Sequence, residues 1–349
     1  MVKVGINGFG RIGRLTFRYA FDMPEVEVVH VNELLGGAET SAYLVKYDSV
    51  HGTWPRAVKH ADDGTHFTVD DQKISFSDKE DFTQVDWKSM GVQIVIDCTG
   101  KFLTVAALQP YLDVCGVQRV VVSAPVKEKS VLNVVVGVND HKLTAEHVIC
   151  TAASCTTNCI APVIKVIHEN LEIESGMITT VHNITGTQPM VDMPNVKKKD
   201  LRRCRSGMLN LAPTTTGSAT AVAEVFPELK GKLNGHAIRV PMLNSSITDM
   251  VFVVKKPVTA ADVNGLLKAA SEKGSPLAAT AEHGDILGFE TQQLVSTDYV
   301  NDVRSSIVDA ASTMVVGDKM VKIYAWYDNE AGYSMRTAEL ARLVAKKFF

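Results

Sequence analysis

The sequence predicts an α/β protein in two parts. A doubly wound parallel sheet comes first. An α+β part with a mixed or antiparallel sheet follows. Three observations predict this. Two short apolar segments flank a helical one near the start, in β-α-β spacing. Further near-continuous apolar runs follow, as expected of strands buried on both faces. After Cys155 the pattern changes to long β segments with fewer helices between them. At 349 residues, two domains are the natural division.

The elements follow in order. Val2–Ile6 reads as a strand, 14–21 as a helix and Val26–Val31 as a second strand. Residues 65–76 hold short alternating strands around Asp70-Asp71. Residues 93–98, 119–123 and 133–138 are the apolar runs. Beyond Cys155 a helical segment leads to β segments at 177–184, 237–241, 248–256 and 322–327, with a helix over 260–273. Residues 186–213 are basic, contain prolines and lack periodicity. That length predicts a functional loop. Residues 333–349 form an amphipathic helix, with Leu340, Leu343, Val344 and Phe348 on one face.

Hydrophobic residues make up 46% and charged residues 21%, and the net charge is −3. That is a globular composition without the electrostatic footprint of a nucleic-acid binder. No apolar run reaches the ~20 residues of a membrane span. The first strand begins directly after Met1, so no targeting peptide is expected. Six cysteines in a chain this long make no disulfide framework, so a reducing, cytoplasmic setting is expected.

Asn7-Gly8-Phe9-Gly10-Arg11-Ile12-Gly13 is a G-x-G-x-x-G run between a strand and a helix. Gly8 permits the tight turn, Gly10 lets backbone approach a pyrophosphate, and Gly13 lets helix and strand pack closely. Glu33, about twenty residues on, stands where an acid binds ribose hydroxyls and repels a 2′-phosphate. The whole context predicts NAD as cofactor; the bland alternative is a glycine-rich turn with no ligand. Thr99-Gly100 and Ser123 lie where parallel strands end. There ligand binding and ordinary turn chemistry compete as readings.

Cys155 lies among Ser154, Thr156, Thr157 and Asn158, at the start of a helical segment. A helix N-terminus favours thiolate. His182, at a threonine-rich strand end, is the candidate base. Against this stand an inert buried thiol and a structural histidine. Cys159, one turn further, reads as core; no second ligand pair makes the two cysteines a metal site. Residues 213–218 form a hydroxyl-rich turn before a helix, able to hold an anion or merely to cap. Arg239, a lone cation in an apolar strand, needs a buried carboxylate or an anionic substrate. The basic run from Lys197 to Arg205 reads as solvated or subunit-facing surface.

Together these residues resemble phosphorylating glyceraldehyde-3-phosphate dehydrogenase. The likeness runs the whole chain: INGFGRIGRL, KYDSVHG, SAP, SCTTNC, TTVH, GKLNG, RVP, WYDNE and GYS, in order. The resemblance implies a Rossmann domain over residues 1–153, rejoined by the C-terminal helix 330–349, and a catalytic domain over 154–329. It implies Cys155 as nucleophile and His182 as its base. Thr185, Thr187 and Arg239 match the pocket for the phosphate of glyceraldehyde 3-phosphate. Ser154, Thr156, Thr216 and Gly217 match the inorganic phosphate pocket. Asn7, Phe9, Arg11, Ile12, Thr99 and Ser123 match cofactor contacts. Asn329 matches the residue holding the nicotinamide amide, with Tyr333 nearby. A homotetramer is also implied, the basic loop reaching a neighbouring subunit's cofactor region.

The chain departs from the family pattern in places. Glu33 replaces an aspartate, Pro189 a lysine and Ala331 an aromatic, and the basic loop is longer. Residues 151–153, 199–203 and 216–220 look more like a branch encoded beside arsenate-export genes, in which arsenate replaces phosphate as acyl acceptor. The rival readings are an erythrose-4-phosphate dehydrogenase and a non-catalytic NAD-binding interaction protein.

Overall fold

A computed structural model describes residues 1–194, 200–278 and 286–349. Met1–Ser154 and Tyr333–Phe349 form one unit, and Cys155–Gly332 forms another. The run Lys197-Lys198-Lys199 lies outside the described residues.

The first unit opens β1 (Val2–Asn7), α1 (Arg11–Ala20), β2 (Val26–Asn32) and α2 (Gly37–Lys46). Strands β3 (Val58–His60), β4 (His66–Val69), β5 (Gln72–Ser77) and β6 (Ile94–Asp97) follow. Two one-turn helices, α3 (Val105–Leu108) and α4 (Pro110–Asp113), lead to β7 (Arg119–Val122), β8 (Leu132–Asn133) and β9 (Ile149–Thr151). The sheet has nine strands in the order β3-β4-β5-β2-β1-β6-β7-β9-β8. From β5 to β8 every pairing is parallel. The order reverses at β1, where β2 pairs on one side and β6 on the other. A crevice at such a switch point is where doubly wound sheets bind ligands. Val4, Ile6, Ile94, Val95 and Ile96 are fully buried, as strands covered on both faces require.

The apolar run at 133–138 corrects one expectation. Only Leu132–Asn133 is strand. Gly137 has φ +81°, and the Asn139 side chain accepts from Val135 N at 2.7 Å and donates to Asn133 O at 3.0 Å. Val134 N still bonds Thr151 O of β9 at 2.8 Å, but beyond it the side chain replaces the ladder, so Val135 and Val136 are buried without strand pairing.

The second unit contains α5 (Cys155–Leu171), β10 (Ile173–His182), β11 (Ala212–Thr215), α6 (Ser218–Val225), β12 (Leu233–Arg239) and β13 (Ser246–Val254). It continues through α7 (Ala260–Ser271), β14 (Leu287–Glu290), β15 (Ser306–Asp309), β16 (Met314–Val316) and β17 (Met320–Tyr327). The eight-stranded sheet is mixed. Its path is β11-β12-β10-β13-β17-β15-β14, with β16 on β17. Burial alternates along β13 and β17, so one face is covered, and α5 packs against both strands.

Helix α8 (Ala331–Phe348) belongs to the first unit from Tyr333 onward. Leu340, Ala341 and Val344 are buried. Arg342 Nε meets Glu25 Oε2 at 2.7 Å, and Lys347 Nζ donates to Leu143 O. Tyr333 Oη donates to Ala153 O at 3.0 Å. Ala153 has φ +53°, a strained setting for a residue with a Cβ, and its N–H also bonds Thr151 Oγ1. No described helix is long and apolar enough to cross a membrane.

His30 gives the first unit an acid-sensitive point. Its ring is buried on β2, between Ser75 Oγ and Ser77 Oγ at 2.8 Å each, edge-on to Trp87. Burial pushes its pKa down to about 4. Between pH 6.5 and 4 the unfolded chain therefore binds a proton that the folded chain refuses. Stability falls as pH drops through that window, by about 3 kcal/mol at this site. Thermal melts of wild type and His30→Asn at pH 7 and pH 4.5 should show a smaller acid loss in the variant. An equal loss in both would refute this.

Candidate active site

Most of the residues expected to bind the cofactor gather at the β1–α1 turn. Gly8 has φ +88°, which only glycine takes readily. A Cβ on Gly13 would lie 2.1 Å from Gly8 O, so helix and turn meet as closely as the spacing predicts. Gly10 is exposed, and a Cβ there would touch nothing within 4 Å. The helix starts at Arg11, three residues before the expected position, with Gly10 as a cap that has no side chain. Its first turn carries no acidic residue. Open space beside exposed N-terminal amides fits a pyrophosphate. Ile12 is half-buried within that turn.

Glu33 Oε2 accepts from Phe9 N at 2.5 Å, and Oε1 from Leu35 N at 3.3 Å. A carboxylate keeps further lone pairs for ribose hydroxyls. A cleft of about 180 Å³ is lined by Asn7, Gly8, Gly10, Glu33 and Thr99, among others. A neighbouring cleft of about 240 Å³ shares Gly10 and Glu33. The donor set and the open glycine fit NAD.

Two side chains also serve the fold. The Phe9 ring is buried against Phe17 and Phe67, which leaves its backbone for a cofactor. Arg11 is bidentate to Asp48, at 2.8 and 3.1 Å. Burial opposes the Asp48 charge, but Arg11 and the amides of Val50 and His51 outweigh it and hold the carboxyl well below its usual range.

Beneath the cleft lies a buried polar layer. Asn32 Nδ2 donates to Asn7 Oδ1 at 2.8 Å, and Tyr111 Oη to Asp97 Oδ2 at 2.9 Å. Thr99 donates to Asp97 Oδ1 through both its amide and its hydroxyl. Burial pushes the Asp97 carboxyl up to about 6 against those bonds. Ser123 N bonds Asp97 O, and Gly100 sits exposed at φ +63°.

The second cluster is in the other unit. Cys155 opens α5, and His182 ends β10. Cys155 Sγ lies 3.6 Å from His182 Nε2. Parallel pairing of β10 with β12 sets His182 beside Arg239. Nδ1 of His182 faces the Asn183 carbonyl and Arg239 NH1, each at 2.8 Å. One ring nitrogen cannot both donate to the carbonyl and accept from the guanidinium. Burial, and then the Arg239 charge, push the His182 pKa down to about 3. Burial also raises the Cys155 thiol, opposed by the Arg239 charge and by the hydroxyl and amide of Thr156. The resting pair is therefore thiol and neutral imidazole.

Arg239 has no carboxylate partner among the described residues, and its Nε is buried without a hydrogen bond. Cys159 is core, with its thiol pushed up to about 12 by burial.

The other expected residues have local partners. Ser154 immediately precedes α5. The Thr156 hydroxyl is buried against Tyr327 Oη at 2.9 Å. Thr185 and Thr187 bond each other through their hydroxyls at 3.0 Å. Asn329 is buried, with Ser246 Oγ donating to its oxygen at 3.5 Å. Tyr333 is buried and bonds Ala153 O.

The hydroxyl-rich turn is shorter than expected, because Ala212–Thr215 is an edge strand paired with β12. Only Thr216 and the exposed Gly217 remain before α6, and Thr216 Oγ1 accepts from Ser218 N at 3.2 Å. Sequence reasoning missed the roles of Tyr327, Asn183 and Arg203. Arg203 NH2 reaches Thr215 O at 3.3 Å, and its charge acts on Arg239. Tyr327 stood inside WYDNE, but nothing in sequence order tied it to Cys155.

Known proteins match along the whole chain. The family model for the NAD binding domain of glyceraldehyde 3-phosphate dehydrogenase matches residues 2–105, and that for its C-terminal domain matches 154–329. Glyceraldehyde-3-phosphate dehydrogenase 3 of Nostoc sp. is 56% identical over 345 residues, covering 99% of this chain and 98% of that protein. The Geobacillus stearothermophilus enzyme is 47% identical, covering 99% of both. Glyceraldehyde-3-phosphate dehydrogenase 2 of Saccharomyces cerevisiae is 42% identical, covering 99% of this chain and 100% of that one. With the glycine turn inside one matched region and the Cys155–His182 pair inside the other, the chain belongs to the glyceraldehyde-3-phosphate dehydrogenase family of NAD-dependent oxidoreductases.

Proposed function

We propose that the chain oxidises glyceraldehyde 3-phosphate with NAD through a thioester on Cys155, then passes the acyl group to inorganic phosphate, giving 1,3-bisphosphoglycerate. The observation that carries this is the 3.6 Å approach of Cys155 Sγ to His182 Nε2, beside an arginine with no carboxylate partner among the described residues. His182 Nε2 takes the thiol proton, and the thiolate adds to the aldehyde carbon. Amides at the start of α5 and the His182 ring steady the developing oxyanion. NAD, when bound, supplies the hydride acceptor. His182 Nε2 hands the thiol proton to the aldehyde oxygen, giving the thiohemiacetal hydroxyl, and, neutral again, takes it back as the thiohemiacetal collapses to the thioester. Phosphate oxygen then attacks the thioester carbon, and Cys155 leaves as thiolate.

Arg239 receives the phosphate carried by the aldehyde, with Thr185 and Thr187. Its buried, unbonded Nε and the nearby Arg203 charge support an anion there. An anion that draws the guanidinium toward itself releases Nδ1 of His182 to donate to Asn183 O, the tautomer a base needs. Ser154, Thr156, Thr216 and Gly217 serve the acceptor. Thr156 acts through its amide, since its hydroxyl bonds Tyr327. Arsenate, tetrahedral like phosphate, suits the same donors.

The working assembly is a homotetramer. Met190, Val191, Leu201, Leu209 and Leu211, 72–84% exposed between residues 190 and 211, are the apolar side chains a neighbouring subunit would cover. The compartment is cytoplasmic, in keeping with six free thiols.

Cys155→Ser should abolish NADH formation from glyceraldehyde 3-phosphate while NAD binding, read by fluorescence titration, persists. Near-normal turnover would sink the assignment. His182→Asn should slow the acylation burst by roughly 10²–10⁴-fold, the span of a lost general base. An unchanged burst would remove His182 from the mechanism. Arg239→Leu should lower kcat/KM for glyceraldehyde 3-phosphate by at least about tenfold more than for unphosphorylated glyceraldehyde, as expected for a lost charged hydrogen bond. Equal losses on both substrates would mean that Arg239 does not bind the substrate phosphate.

A further inference from the structure

Beside the Cys155–His182 pair runs a chain of three hydroxyls that the mechanism above leaves unused. Thr180 Oγ1 on β10 lies 2.8 Å from Tyr327 Oη at the end of β17. Tyr327 Oη lies 2.9 Å from Thr156 Oγ1, which lies 4.0 Å from Cys155 Sγ. Thr180 and Tyr327 are 1% exposed and Thr156 is 4% exposed, so water does not complete these bonds. None of the three hydroxyls has another partner among the described residues.

The proton count gives this chain a direction. Suppose Cys155 donated to Thr156, Thr156 to Tyr327 and Tyr327 to Thr180. The Thr180 proton would then be buried with no acceptor, an arrangement proteins avoid. In the opposite direction Thr180 donates to Tyr327, Tyr327 to Thr156 and Thr156 to the sulfur. Every hydroxyl proton then has an acceptor, and the thiol's own proton is left for His182 Nε2. Hydrogen bonds aligned head to tail polarise one another.

We infer that Tyr327 is a positioning residue, the middle member of a one-way hydrogen-bond chain that aims the Thr156 hydroxyl at Cys155 Sγ and favours the thiolate. This rests on the reading of Cys155 as the nucleophile. The contact of 4.0 Å in the resting thiol is long, and charge on sulfur draws the hydroxyl in. The titratable and charged groups facing Cys155 are His182 from β10, Arg239 from β12, Tyr327 from β17 and Cys159 from α5. Tyr327 and Cys159 stay protonated at neutral pH, because burial raises both. The chain therefore acts by orientation and not by its own titration.

The test is the pH profile of iodoacetamide alkylation of Cys155, followed by peptide mass spectrometry, in the full-length protein. Tyr327→Phe keeps the ring and loses the hydroxyl. Its midpoint should rise by about 0.5–1 unit, which slows alkylation roughly three- to tenfold below the midpoint, with the high-pH plateau unchanged. Thr156→Val should shift it likewise, and the double variant should shift it no further than either alone. Thr156→Ser, which restores a hydroxyl, should return the midpoint toward wild type even if the valine variant folds poorly. A wild-type profile in Tyr327→Phe, or additive shifts in the double variant, would overturn the inference. So would a change confined to the plateau. Failure of the underlying reading looks different: alkylated wild type would keep its dehydrogenase activity.

Discussion

One ring nitrogen, Nδ1 of His182, constrains the rest of the cluster around Cys155. It faces a carbonyl that only accepts and a guanidinium that only donates, at equal distance. Whichever it bonds decides what the far nitrogen presents to Cys155. With the arginine, Nε2 carries a proton and cannot act as a base. With the carbonyl, Nε2 offers its lone pair. Burial alone would keep the imidazole neutral, and the adjacent positive charge deepens that preference. On the proposed mechanism, a site held in this way is quiet until an anion competes for the arginine.

The two halves of the chemistry differ in how their residues are brought together. The cofactor turn is local. Gly8, Gly10 and Gly13 act within a few residues of each other: backbone packing demands Gly8 and Gly13, and Gly10 leaves open space at the helix start. The cluster around Cys155 is nonlocal. Parallel register between β10 and β12 sets His182 opposite Arg239, and antiparallel pairing of β13 with β17 brings Tyr327 to the same sheet. Thr156 and Tyr327 are 171 residues apart in the chain. Their meeting follows from how the sheet is ordered and not from any motif.

That difference decides what the sequence made legible. The glycine spacing, the acid after β2 and the thiol opening α5 could each be read from neighbours, because short-range physics sets them. The valines at 133–138 could not be resolved, since burial in a side-chain-braced turn and burial in a strand leave the same apolar run. Arg239 carried half a message: an apolar strand with one cation demands a partner, but not which one. Arg11 and Phe9 show the converse. Their places in the motif suggest ligand contact, while their side chains hold Asp48 and the core.

The return of α8 to the first unit shapes how the protein comes into being. Arg342, Lys347 and Tyr333 brace Glu25, Leu143 and Ala153. On the ribosome, residues 1–154 emerge early, but their closing helix waits until the whole intervening unit has been synthesised. The nascent sheet thus spends that interval with the apolar surface meant for Leu340, Ala341 and Val344 uncovered. Contacts that span so much sequence form slowly, and uncovered apolar surface invites association with other chains. Chaperone demand during translation should therefore concentrate on the first part of the chain to be made.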